Sequence, residues 1–135
     1  MDYKLEVVVV PVTDIERAKS FYLDKLGFKL DADTTPAENF RVVHMTPPGS
    51  ACSVVIGPKV VGADIDLGAS SASLQLVVAD LDAARAELAA RGVEMSEVQV
   101  MDPTRDGGKF VFLADPDGNN WALQEVRKHV GAALD

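Results

Sequence analysis

The chain has 135 residues, 47% of them hydrophobic and 25% charged, which suits one compact globular domain with a real core. Its formal net charge of −8 is spread along the sequence, so nucleic acid, whose phosphates would repel it, and anionic membrane surfaces are not expected partners. The apolar run 7–12 is far too short to span a bilayer.

Residues 5–12 are rich in β-branched side chains and read as a buried strand. Thr13 to Glu16 match a capping box, with Asp14 adding negative charge at a helix N-terminus. Ile15, Ala18, Phe21, Tyr22 and Leu26 then share one helical face, and Gly27 is a natural stop. Residues 28–33 read as a strand, 34–39 as a loop, 40–45 as a strand, Pro47-Pro48-Gly49 as a turn and 51–57 as a further strand. Residues 58–71, with scattered Gly, Ala and Ser, read as a link. Residues 73–78 form the next expected strand. A helix starts at Asp80 with Leu81, Ala84 and Leu88 inward, and ends at Gly92. Residues 93–100 read as a strand open to interruption, and 102–108 as a loop. Strands 110–114 and 119–126 flank the turn Asp115-Pro116-Asp117-Gly118, and 129–135 reads as a frayed tail.

The two halves say nearly the same thing. Asp14 and Asp80 open helices 66 residues apart, and the turn glycines Gly49 and Gly118 stand 69 apart. A near-constant offset over half the chain implies a duplicated unit. The expectation is one α+β domain over 1–135, built of two βαβββ modules: module one at about 3–57, a linker at about 58–71 and module two at about 72–128.

Val10-Pro11-Val12-Thr13-Asp14, Arg17-Ala18-Lys19-Ser20-Phe21-Tyr22 and Leu26-Gly27-Phe28 look like the opening of one such module, and Phe112-Leu113-Ala114-Asp115-Pro116-Asp117-Gly118-Asn119 like the close of a second. In order and duplicated, these motifs resemble the vicinal oxygen chelate superfamily of glyoxalase I, bleomycin-resistance proteins and extradiol dioxygenases. The resemblance implies a curved, open, barrel-like sheet around a cavity with helices outside, commonly in a homodimer. In metal-dependent members it also implies His, Glu or Gln ligands at four places: seven residues before each helix-opening Asp and four after each turn Gly. Here those places hold Val7, Ser73, Ser53 and Ala122. Val and Ala cannot coordinate, and neutral Ser hydroxyls are poor donors for a divalent ion. The chain is therefore expected to belong to a metal-free branch, with no metal and no cofactor. Glu6 and Glu125 stand one and three residues from two of these places, on the opposite strand face if the register is regular.

Strand alternation extends the lining. Val7 brings Val9, Ser53 brings Val55, Ser73 brings Gln75, and Ala122 brings Gln124. This set is apolar and small with a few neutral polar groups, and it suits an uncharged hydrophobic or aromatic molecule; the alternative is that the same side chains fill a closed core. Phe40, His44 and Arg105 are candidates at the rim. His44 can act as general base or hydrogen-bond partner, or can be a half-exposed strand histidine, since the spacing does not fix its face. Arg41, three residues earlier, lies on the other face of a regular strand. Trp121 and Cys52 fall on the helix side, as core and as a buried thiol. Asp31, Asp33 and Glu38 cluster near the second strand, as paired acids or a solvated edge.

The leading expectation is metal-independent small-molecule binding, as in the antibiotic-sequestering resistance proteins. The alternatives are a metal-free lyase, isomerase or cyclase using His44, a metal-dependent glyoxalase or dioxygenase, and an interaction module with a filled core. A single cysteine and the lack of a basic leader within residues 1–6 suit a cytoplasmic protein.

Overall fold

Four successive β-branched residues disfavour a helix, and Val7–Val10 form strand β1. In the computed structural model, which describes residues 1–38, 40–57, 72–101 and 108–126, β1 leads into helix α1 (Ile15–Ser20) and a π-helical segment (Phe21–Lys25). Strands β2 (Lys29–Ala37), β3 (Phe40–Thr46) and β4 (Ser53–Ile56) follow. The second half runs β5 (Ser73–Val78), α2 (Leu81–Ala90), β6 (Gln99–Val100), β7 (Lys109–Ala114) and β8 (Asn120–Glu125). The expected linker 58–71, the loop residues 102–107 and the tail 129–135 lie outside the described residues.

The strands make two open four-stranded sheets of the same order, β1-β4-β3-β2 and β5-β8-β7-β6. In each, the first strand runs parallel to the last and the other pairings are antiparallel. The fold is α+β with two βαβββ modules. The chain divides into two compact units, one holding the first sheet, α1 and also the turn Pro116–Asn119, the other holding the second sheet and α2.

In the first unit, Val10, Val43, Met45 and Ile56 are fully buried together with Ala18 and Tyr22. The π-helical segment places Phe21 and Tyr22 edge to face, with ring centroids 5.2 Å apart, and Tyr22 sits 5.6 Å from Phe28. In the second unit, Leu81 and Leu88 of α2 are buried with Val111, Leu113, Trp121 and Leu123.

The helix starts correct one expectation. Thr13 does not cap α1; Asp14 does, accepting from Arg17 N at 3.1 Å. Thr13 is committed elsewhere, since its N–H and hydroxyl both donate to Asp117 Oδ1, at 3.0 and 2.6 Å. Asp80 caps α2 in the same way, accepting from Ala83 N at 3.0 Å. The expected helix stops Gly27 and Gly92 have φ of 77° and 84°, a left-handed backbone that favours glycine.

Three further boundaries move. Residues 34–37, expected in a loop, extend β2; Pro36 is tolerated because β2 is an edge strand and needs no N–H there. The strand expected over 93–100 shrinks to Gln99–Val100. The strand expected over 5–12 shrinks to Val7–Val10.

Candidate functional site

Arg41 of β3 pairs with Asp33 of β2 (Nη2–Oδ2 2.7 Å) and with Glu16 of α1 (Nη1–Oε1 2.5 Å). Lys19 of α1 also reaches Asp33, at 2.7 Å. Hydrogen bonds from Arg41, then from Lys19, hold the Asp33 carboxyl well below the usual carboxylate range against the opposing effect of burial, and Asp33 and Glu16 in turn raise Arg41. This cluster identifies the helix side of the first sheet. Alternation along β3 then sends Val43 and Met45 to that side and His44 and Thr46 to the other.

The register carries the assignment across the sheet. His44 lies opposite Val55, Val55 opposite Val9, and Ser53 opposite Val7. His44, Ser53, Val55, Val7 and Val9 therefore share the helix-free face with Thr46. Ser53 and Val55, on the central strand β4, are buried, and the other four are half-buried. Arg41 and His44 do diverge.

A bulge adds a carboxylate to this face. The β2–β3 register skips from Leu30 to Ala32 while β3 advances by one residue, from Met45 to His44. Asp31 is the extra residue, and its Oδ2 accepts a hydrogen bond from Thr46 Oγ1. Thr46 Oγ1 lies 2.7 Å from Ser53 Oγ. Asp31 and Asp33 thus point to opposite faces, and Glu38 is exposed in the turn after β2, so the three do not form paired acids. His44 Nε2 is buried with no hydrogen-bond partner among the described residues. Such an atom costs about 1–3 kcal/mol, so a group that bonded to it would be stabilising.

In the second unit, Lys109 of β7 reaches Asp82 of α2 at 3.6 Å and Glu125 at 3.1 Å. Its ammonium is raised, first by the hydrogen bond to Glu125 and then by the charge of Asp82. Lys109, Val111 and Leu113 therefore face the helix, and Phe110 and Phe112 face away. Phe112 is opposite Ala122, Phe110 opposite Gln124, Gln75 opposite Ala122 and Ser73 opposite Asn120. Ser73 and Gln75 are exposed, Ala122 is half-buried and Gln124 is buried. Gln75 Nε2 donates to Gln124 Oε1. The rings of Phe110 and Phe112 run parallel within 3°, with centroids 6.0 Å apart. The amide pair leaves one carbonyl, on Gln75, and one NH₂, on Gln124, for further bonding.

Sequence reasoning missed Phe110, Phe112 and Thr46, and grouped Asp31 with Asp33 and Glu38 as paired acids or a solvated edge without its true face. The two phenylalanines were findable: counting the hairpin register back from Ala122 across its turn lands on Phe112, and alternation adds Phe110. The face of Asp31 was not, because the bulge that turns it has no sequence mark. Phe40 opens β3 opposite Ala37, its side chain lying outside the description, as does Arg105 altogether. Trp121 is core on the helix side, 2% exposed. Cys52 is half-buried rather than buried because it precedes β4, in the bend that follows the Pro47 turn.

Among the described residues the donor set does not fit a divalent metal ion. The four places at which the family resemblance implies metal ligands hold Val7, Ser53, Ser73 and Ala122. The Ser53 hydroxyl is engaged with Thr46, and Glu125 is paired with Lys109. Among the described residues no three His, Cys, Asp or Glu side chains gather to hold an ion. No helix among them is long and apolar enough to cross a membrane.

Comparison with known proteins agrees with this architecture. The chain is 31% identical to TnmS3, an antibiotic binding protein from Streptomyces sp. CB03234, with a TM-score of 0.75 over 93% of this chain and 98% of that one. A glyoxalase/bleomycin resistance protein from the same organism is also 31% identical, with a TM-score of 0.70 over 90% and 99% of the two chains. An uncharacterised Bacillus subtilis (strain 168) protein, YetH, is 28% identical over 123 residues, 90% of this chain and 98% of its own. The family model matches residues 4–123, and the chain belongs to the glyoxalase/bleomycin resistance protein/dioxygenase superfamily.

Proposed function

We propose that the protein binds an apolar or aromatic small molecule without a metal, in the manner of the antibiotic-sequestering members of its superfamily. The observation that carries this reading is the chemistry of the helix-free sheet faces. Val7, Val9 and Val55 surround Ser53 on one, and Ala122 and the stacked Phe110–Phe112 pair flank the Gln75–Gln124 amides on the other. Apolar surface with a few placed polar groups suits an uncharged ligand, and the Asp31 carboxylate on the first face is already engaged by the Thr46 hydroxyl. Ser73 belongs to the same proposed binding set, with Phe40 and Arg105 at its rim. The likeness to an antibiotic binding protein supports it. We also propose that the protein acts in the cytoplasm as a homodimer, a state that light scattering reads directly.

The test is titration calorimetry against a panel of aromatic natural-product antibiotics, with mass spectrometry of the recovered ligand. Saturable stoichiometric binding with unchanged ligand mass and structure supports capture. A metal-free lyase, isomerase or cyclase is the second reading, and the unpartnered Nε2 of His44 favours it. Turnover that His44→Phe abolishes would establish that reading, and failure of every compound to bind would remove both.

A further inference from the structure

The hydroxyl hydrogens on the first sheet's helix-free face can be counted, and the count sets what the bound molecule must bring. Thr46 has one hydroxyl hydrogen. The Asp31 carboxylate has none to give, so the Thr46–Asp31 bond consumes the Thr46 hydrogen. The 2.7 Å contact between Thr46 Oγ1 and Ser53 Oγ then needs the hydrogen of Ser53. The chain of bonds runs in one direction, Ser53 to Thr46 to Asp31, and it ends on a charge that fixes that direction. Ser53 has no hydrogen left. Toward a ligand its oxygen can only accept.

We infer that this face selects a hydroxyl- or N–H-bearing aromatic molecule, its donor directed at Ser53 Oγ and its apolar body against Val7, Val9 and Val55. This rests on the binding reading above and adds the polarity of its recognition. Thr46 and Asp31 are positioning residues: neither needs to touch the ligand, and both set which way Ser53 points its hydrogen. His44 is the neighbour of Thr46 on this face, and its buried Nε2 is a second point at which a hydroxyl finds a partner.

The experiment compares 2-naphthol with 2-methoxynaphthalene, which has the same ring system but no donor, by calorimetry. The unaltered protein is expected to favour 2-naphthol about tenfold, the penalty for facing an acceptor with an acceptor. In Asp31→Ala the acceptor that fixes the direction is gone, so the Thr46 hydrogen is free to go to Ser53 and Ser53 can offer its own hydrogen outward. The preference should then fall to about one or invert, with thermal stability nearly unchanged because Asp31 is exposed. Thr46→Ser keeps the relay and should keep the original ratio, which a merely packing role for Thr46 would not require. Equal affinity of the two probes for the unaltered protein, or a ratio that Asp31→Ala leaves in place, overturns the inference while leaving small-molecule binding intact. Failure of both probes to bind overturns the binding reading for simple aromatics, and this inference with it.

Discussion

The two units share a skeleton and differ in nearly everything attached to it. Asp14 and Asp80 cap their helices with φ/ψ of −132°/105° and −132°/104°, each bonding the N–H three residues on. The turn glycines Gly49 and Gly118 have the same φ of 85°. Yet α1 runs into a π-helical segment packed with aromatic rings and is flanked by the Glu16–Arg41–Asp33–Lys19 cluster, whereas α2 is Ala-rich and covers a single large ring, Trp121. The helix-free faces diverge as well, into an imidazole, hydroxyls and a carboxylate in one unit and amides and phenyl rings in the other. Duplication has kept the residues that fix backbone geometry and left the face chemistry free to change. That is the pattern expected where caps and turns define the fold and side chains on the open face define what is bound.

The largest expected effect tests how far the cores have separated. Trp121 and Cys52 each stand three residues after their turn glycine, but Trp121 is 2% exposed and Cys52 only half-buried. Trp121→Ala should cost about 3–5 kcal/mol in urea unfolding, the usual range for emptying a large aromatic site. Cys52→Ala should stay within about 0.5 kcal/mol. Comparable losses at the two positions would mean that the cores are equivalent despite their different side chains.

Much of this was legible in the sequence, and the reason is local. Caps, stops and turns are written in single residues, so the duplicated Asp and Gly landmarks placed both helix starts and the turns at Gly49 and Gly118. Boundaries that depend on neighbours were not legible. Thr13 looks like a cap until Asp117, more than a hundred residues later, takes its hydroxyl. Pro36 looks like a loop until β2 proves to be an edge. Alternation placed Ser53 with Val7 because those strands are regular, but it failed at Asp31, where one inserted residue reverses the face. The polar chain from Ser53 to Asp31 depends on that bulge and on three strands at once, so no window of sequence contains it.

A smaller effect probes the part that duplication preserved. Asp14→Ala and Asp80→Ala should each cost about 1 kcal/mol, the typical value of an N-cap. The two losses should be equal if the matching backbone angles mean matching energetics. A markedly greater loss at Asp14 would show that the neighbouring bonds of Thr13 and Arg17 to Asp117 depend on a well-formed α1.

The smallest effect at neutral pH separates the units by the sign of their response. The Asp33 carboxyl is held well below its ordinary range, so the unfolded chain binds that proton more readily than the folded one. Its contribution is complete above the ordinary carboxylate range and drains as pH falls through it toward the depressed folded value. Lys109 is raised above its ordinary range by Glu125 and Asp82, so its contribution is complete below the ordinary lysine value and drains as pH rises beyond it. Asp33→Asn should therefore flatten the acid limb of a plot of urea midpoint against pH and leave the alkaline limb in place. Lys109→Met should do the reverse. The Lys109 side chain is 38% exposed and that of Asp33 22%, so added salt should erase the alkaline effect first. An acid limb unchanged by Asp33→Asn would mean that the ion cluster on the first sheet orients α1 without stabilising it, leaving the contrast between the units one of shape and not of electrostatics.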